Sequence, residues 1–248
     1  MLSAPHVVVT GASSGIGRAI VLRLQADGAR VTGLARRAEL LSSLDGVLGL
    51  PCDVSDRAAV DAAFAQAAEV NGPIFAVVAA AGIGGANAPG AGDRFDEIVA
   101  TNLTGAYNTL RAGQRHLAPG PDRRYFIVIA SVLARFGVPG YTGYCASKAA
   151  LLGLTRAMAL ELAQEGVLVN AICPGWVDTD MAWSGIEGMA AAMGVSREEA
   201  HRRAMSAVPL GRMGTPEEIA GVVAWLMSPA ASCVTGQGID VNGGAWMG

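Results

Sequence analysis

Tyr144 and Lys148 stand four residues apart in Tyr144-Cys145-Ala146-Ser147-Lys148, with Ser131 a short way upstream. On a helix, positions i and i+4 share a face, so the phenol and the ammonium point into one site. A cation beside a phenol favours the phenolate and lowers the tyrosine pKa. The hydroxyl then becomes a usable proton donor or acceptor near neutral pH. The pair alone also fits a surface helix with a solvated lysine. The surrounding elements decide between the two.

The first of these begins at residue 6. His6-Val7-Val8-Val9-Thr10 is a β-branched run that reads as a buried strand. Gly11-Ala12-Ser13-Ser14-Gly15-Ile16-Gly17 follows at once, and Arg18 to Leu24 then shows helical periodicity. Strand, glycine loop and helix together present backbone N–H groups and a helix N-terminus to a pyrophosphate. The spacing is G-x-x-x-G-x-G, not G-x-G-x-x-G. An ordinary strand-to-helix turn also favours Gly and Ser, but the position directly after the first strand favours the nucleotide reading.

Further strands are expected at 30–35, 47–53, 74–80, 125–130, 167–172 and 237–241, alternating with helical stretches. Runs such as Ile74 to Val78 and Tyr125 to Ile129 are apolar throughout, as strands covered on both faces are. The pattern predicts one α/β domain over residues 1–248. Its fold is a Rossmann-like, doubly wound parallel sheet of about seven strands with helices on both faces. Sites in such sheets lie at the carboxyl ends of the strands. Thr10, Ala35, Asp53, Gly82, Ser131 and Pro174 all fall at or just after those ends.

The 248 residues are 52% hydrophobic and only 16% charged, with a net charge of −3. That balance argues against nucleic acid as a main partner. No basic-then-apolar leader opens the chain, and no stretch has some 18 consecutive apolar residues, so a cytoplasmic protein without a membrane span is expected. Cys52, Cys145, Cys173 and Cys233 show no C-x-x-C pair, and His6, His116 and His201 form no constellation, so no metal site is expected. Buried free thiols are the expected state of the cysteines.

Taken together, these motifs resemble the short-chain dehydrogenase/reductase family. The resemblance covers essentially the whole chain: Thr10 to Gly17, Cys52-Asp53-Val54, Asn102, Ser131, Tyr144 with Lys148, Pro174-Gly175-Trp176-Val177-Asp178-Thr179, and Gly236-Gln237 through Gly243-Gly244. It implies hydride transfer between a nicotinamide and a carbonyl or alcohol carbon. Tyr144 would be the acid/base. Lys148 would bind the nicotinamide ribose and depress the tyrosine pKa. Ser131 would bond the substrate oxygen, and Asn102 would hold a water that links Lys148 to solvent. Gly11, Ser13, Ser14, Gly15, Ile16 and Gly17 would cradle the cofactor phosphates, and Asp53 and Val54 would hold the adenine. Ala80 and Gly82 would approach the ribose, while Pro174, Gly175, Val177 and Thr179 would close over the nicotinamide.

The second strand ends without an acid, and Arg36-Arg37 follow it. An acid there would repel a 2′-phosphate, whereas a guanidinium can pair with one bidentately. In the family, an arginine in the place of Arg36 marks NADP preference, so NADP(H) is expected over NAD(H). One departure concerns Ala79-Ala80-Ala81-Gly82, where the family usually has Asn-Asn-Ala-Gly. Without those amides the loop is expected to be held less firmly.

Residues 180–208 would form a substrate lid. Met181, Trp183, Met189, Met193 and Met205 suit a small apolar carbonyl or alcohol substrate, and suit a self-packed lid equally well. A 3-ketoacyl carrier-protein or CoA reductase is the alternative. Arg123, Arg124, Arg202 and Arg203 would supply the basic patch it needs, and Glu165 would oppose it. A non-catalytic dinucleotide sensor is a third reading, which the intact Ser131, Tyr144 and Lys148 set disfavours. The apolar run from Ile219 to Leu226, together with Trp246 and Met247, points to a buried interface. The resemblance makes that interface part of a homotetramer.

Overall fold

Val7, Val8 and Val9 are completely buried. Alternate side chains of a strand face opposite sides of its sheet, and here both sides are covered. The computed structural model describes residues 4–120 and 122–248. The first half runs β1 (His6–Thr10), α1 (Gly15–Ala26), β2 (Arg30–Ala35), α2 (Ala38–Leu41), β3 (Leu48–Pro51), α3 (Arg57–Asn71), β4 (Ala76–Ala79), α4 (Phe95–Val99) and α5 (Gly105–Arg115). A π-helical turn, Ala100–Thr104, joins the last two. The second half runs β5 (Arg124–Ile129), a 3-10 turn (Val132–Ala134), α6 (Thr142–Leu162), β6 (Val167–Pro174), α7 (Asp180–Met193), α8 (Arg197–Ser206), α9 (Pro216–Leu226) and β7 (Gly238–Val241).

The seven strands form one parallel sheet in the order β3-β2-β1-β4-β5-β6-β7. Each strand stands where the sequence pattern puts it, with ends shifted by at most two residues. The chain winds outward from β1 to β3, then crosses back to β4 on the other side of β1. That reversal opens a crevice at the carboxyl ends of β1 and β4.

Val7 and Val9 join Ile20, Leu24, Ile219 and Val223 in the core under α1 and α9. Val8 joins Phe64, Leu110, Phe126, Leu151 and Met158 in the core under α3, α5 and α6. A third, smaller cluster of Ile186, Ala200, Met205, Val208 and Met213 holds α7 and α8 together, so the segment expected as a lid has a core of its own. α9 starts on a capping box between Thr215 and Glu218 with a proline in its first turn, which satisfies the orphan N–H groups at that end.

Near the end of the chain Trp246 is half-buried, its ring 6.0 Å from that of Phe136, centroid to centroid, and Met247 is exposed. One expectation needs correction. The cysteines are unpaired, but they are not uniformly buried. Cys52 and Cys173 are, Cys145 is half-buried, and Cys233 is exposed. Among the described residues, no helix is long and apolar enough to cross a membrane.

Candidate active site

The loop between β1 and α1 is built on close approach. Gly11 has φ +70°, and a Cβ there would sit 2.8 Å from the Ala81 Cα. A Cβ on Gly17 would collide with the Gly11 carbonyl. Ser14 is the N-cap of α1, yet its side chain makes no capping bond. Its Oγ instead accepts a hydrogen bond from Arg37 at 2.7 Å, and Arg37 also reaches Ser13 Oγ at 3.3 Å. The first-turn N–H groups of α1 therefore lack a cap from Ser14, as an anion-binding helix start requires. Ile16 anchors the loop from below by packing on the core.

Arg36 and Arg37 part company. Arg37 turns back onto the glycine loop. Arg36 is exposed and lies near Glu97, whose pKa is lowered mainly by its hydrogen bond from Arg94, and near Asp53, and it adds a smaller lowering to both carboxyl groups. For Asp53 the larger causes are the hydroxyl and backbone N–H of Ser55, which both bond Oδ1 at 2.7 and 2.9 Å. Val54 is buried, and its carbonyl accepts from Asn108 Nδ2 at 3.1 Å. This end of β3 is thereby locked to α5.

The loop after β4 is held more firmly than its missing amides imply. Thr10 Oγ1 accepts from the N–H groups of both Ala80 and Ala81, each at 3.2 Å. From the other side, Asn102 Oδ1 accepts from the Ile83 N–H at 2.8 Å and its Nδ2 donates to the Ile83 carbonyl at 3.0 Å. The expected looseness is thus corrected, because neighbouring elements supply the bonds. Asn102 is buried in the π-helical turn and also donates to Ser147 Oγ on α6 at 3.2 Å. π-turns are frequent at functional sites.

Ser131 caps the 3-10 turn after β5: its Oγ accepts from the Leu133 N–H at 3.1 Å. Arg135 ends the same turn and is clamped to β7. Its guanidinium donates to both carboxylate oxygens of Asp240, at 3.2 and 3.1 Å, and to the Gly238 carbonyl at 2.7 Å. Tyr144 and Lys148 lie one turn apart on α6, the ammonium 5.7 Å from the tyrosine ring centroid. The sequence expectation that Lys148 lowers the Tyr144 pKa gives way to burial, which pushes that pKa up. The Ser131 hydroxyl acts in the opposite direction. Burial also pushes the Lys148 pKa down, to about 8. Gly82 is the third side of this cluster, since a Cβ there would sit 3.2 Å from Asn102 Oδ1 and 3.5 Å from Lys148 Nζ.

The segment after β6 reaches back toward the glycine loop. Pro174 pairs with Val241, and a Cβ on Gly175 would press the Asn242 backbone at 2.9 Å. Val177 is buried and bridged to Gly214. Thr179 caps α7 through the Ala182 N–H at 3.3 Å. Its methyl lies 3.2 Å from where a Gly15 Cβ would be, so the start of α7 stands over the start of α1.

The donor set fits a nicotinamide dinucleotide. A helix start uncapped by its own Ser14, glycines that bring backbone to a ligand, a carboxylate at the end of β3 and a buried ammonium beside Gly82 follow one another along the crevice.

Comparison with known proteins agrees. A family model described as enoyl-(acyl carrier protein) reductase matches residues 11–245. The chain belongs to the short-chain dehydrogenase/reductase family. As a member it is an NAD(P)-dependent oxidoreductase that acts on carbonyl and alcohol groups. It is 36% identical over 245 residues to the 3-oxoacyl-[acyl-carrier-protein] reductase MabA of Mycobacterium tuberculosis, covering 98% of this chain and 93% of the relative. It is 40% identical over 251 residues to a putative ketoacyl reductase of Streptomyces coelicolor, covering 96% and 95%. Among solved structures, a phenylalanine-to-tryptophan variant of actinorhodin polyketide ketoreductase with NADPH is 37% identical. It superimposes with a TM-score of 0.89 over 98% of this chain and 97% of that one.

Within this short-chain dehydrogenase/reductase, the sequence reading missed three contributors: the Thr10 side chain, Arg37 as a partner of the glycine loop, and the Arg135–Asp240 clamp. Thr10 opened a recognised motif without a role for its hydroxyl, and Arg37 lay beside Arg36. Arg135 and Asp240 are joined only by the fold, and no local spacing signals them.

Proposed function

We propose that the protein reduces the ketone of a 3-oxoacyl-type substrate with NADPH. The observation that carries this reading is the meeting of Ser131, Tyr144 and Lys148 beside Gly82, at the carboxyl ends of β4 and β5. The bound nicotinamide supplies the hydride. Ser131 donates a hydrogen bond to the ketone oxygen, where negative charge develops. Tyr144 hands its proton to that oxygen. The raised tyrosine pKa keeps the hydroxyl protonated, as a donor must be. Lys148 binds the ribose hydroxyls, and Asn102 holds a water that connects the ammonium to solvent. Gly11 to Gly17 receive the phosphates, and Arg36 after β2 selects NADP(H) over NAD(H). Residues 180–208 close over the substrate in a single catalytic domain of residues 1–248 that works in the cytoplasm. The names of the relatives support the 3-oxoacyl class.

A free apolar ketone is the second reading, and one observation favours it. Arg124 is buried and engaged by the carbonyls of Gly120, Asp122 and Glu165. Arg202 and Arg203 are both paired with Glu199. Three of the four arginines expected to dock an acidic carrier are therefore occupied. Turnover of a 3-oxoacyl-CoA, the same acyl group on a carrier protein, and an unactivated aliphatic ketone, each with NADPH and NADH, tests both readings. Faster turnover of the thioesters supports the first; activity on the ketone alone supports the second.

A further inference from the structure

The loop from Ile83 to Gly92 is rich in small residues and contains one buried polar side chain, Asn87, with 7% of its surface exposed. Its bonds lead to the catalytic helix. The N-cap of α6, Tyr141, makes no side-chain cap bond, and Asn87 does that work from across the cleft. Its Oδ1 accepts from the Gly143 N–H at 2.9 Å. That bond fixes the amide orientation, because an NH₂ group there would face a donor. Nδ2 then donates to Thr142 Oγ1 at 2.9 Å and to Asp93 Oδ1 at 3.1 Å. The Asn87 backbone N–H donates to the Gly140 carbonyl at 2.8 Å. Asp93 Oδ1 also accepts from the Phe95 N–H at 3.0 Å, which ties the network to the start of α4. Gly143 is buried, and a Cβ there would stand 3.3 Å from Phe95 and 3.4 Å from Asn87 Oδ1. The contact admits no slack.

We infer that Asn87 is a positioning residue: it caps the first turn of α6 in trans and sets where Tyr144, the next residue after Gly143, directs its hydroxyl. A helix start without its cap frays. Fraying of α6 would displace Tyr144 first and Lys148, a turn further in, much less. A misplacement on the order of 1 Å can cost about 10²-fold in rate. The inference rests on Tyr144 as the proton donor.

The test uses steady-state reduction of a 3-oxoacyl-CoA and fluorescence titration of NADPH on the full chain. Asn87→Ala is expected to lower kcat roughly tenfold to a hundredfold, with the NADPH Kd unchanged. Asn87→Ala combined with Tyr144→Phe should be no slower than Tyr144→Phe alone, since two changes that remove the same function do not add. Because Asn87→Ala empties a buried site, a second arm keeps the side-chain shape. Asn87→Leu retains the branched outline, removes the acceptor for the Gly143 N–H and should be about as slow as Asn87→Ala, again with the NADPH Kd unchanged. Native kcat in Asn87→Ala or in Asn87→Leu, or multiplicative losses in the double variant, each overturns the inference. Native kcat in Tyr144→Phe overturns the proton-donor reading and this inference with it.

Discussion

Lys148 Nζ donates to the carbonyl of Ile129 at 2.8 Å. This bond holds a buried ammonium against the end of β5, two residues before Ser131, and joins α6 to the strand that leads into the serine. Burial disfavours the charged form, which is why the Lys148 pKa falls to about 8. Ribose hydroxyls bound by the ammonium would favour that form and raise the pKa again. NADPH binding is therefore expected to take up protons above about pH 8 and to weaken as pH rises further. Calorimetry at alkaline pH in buffers of different ionisation enthalpy measures this uptake. Lys148→Met should abolish it, and proton release on binding would contradict the assignment.

Tyr144→Phe removes one hydroxyl and leaves the ring that packs beside Lys148. NADPH affinity and thermal stability should stay near wild type, and kcat should fall by about 10²–10⁴-fold. Steady-state and binding measurements on the same preparation separate these quantities. A kcat near wild type would remove Tyr144 from the reaction.

Arg36 and Arg37 should contribute differently to cofactor choice. Arg36→Ala should weaken NADPH binding by roughly 1.5–3 kcal/mol, the worth of a charge-assisted bond, and leave NADH binding unchanged. Arg37→Ala should affect both cofactors, because it releases Ser13 and Ser14 in the glycine loop proposed to receive the phosphates. Parallel titrations with the two cofactors decide this. Equal losses for Arg36→Ala would refute its role in selection.

His6 should make the fold acid-sensitive. It is buried between the Gly72 carbonyl at 2.7 Å and Thr32 Oγ1 at 2.9 Å. Thr32 Oγ1 also accepts from Asn71 at 3.0 Å, and its own proton can be donated to the imidazole. The ring is best accommodated neutral, and burial leads the causes that lower its pKa below 6.5. The unfolded chain then binds more protons in the window just below 6.5. Stability from this group is full above that value and falls as pH drops through it. Urea midpoints at about pH 8 and pH 5.5 should differ more for wild type than for His6→Asn. An equal difference in both proteins would dismiss the histidine as the cause.

The protein is expected to assemble as a homotetramer. Ile219, Ala220, Val223 and Leu226 face α1 within the subunit, but Trp225, Leu160 and Val70 remain exposed, at 41%, 82% and 59%. Apolar side chains left on several outer faces suit symmetric interfaces. Light scattering behind size exclusion at micromolar concentration gives the mass directly, and a single-subunit mass would end this proposal.

The sequence by itself determined the parallel sheet and the residues at its carboxyl edge. Those signals are local: β-branched runs such as Val7 to Val9, a glycine loop directly after the first of them, and the i, i+4 spacing of Tyr144 and Lys148. Strand and helix periodicities depend on neighbouring residues only, so they are legible one segment at a time. The tertiary structure decided what depends on residues far apart in the chain. Thr10 and Asn102 hold the alanine loop whose own asparagines are missing, which no reading of that loop could reveal. Arg37, not Arg36, turns to the glycine loop, because direction after a strand is set by the next layer of packing. The pKa values of Tyr144 and Lys148 followed burial rather than their spacing, since the desolvation of a charge is a property of the assembled fold.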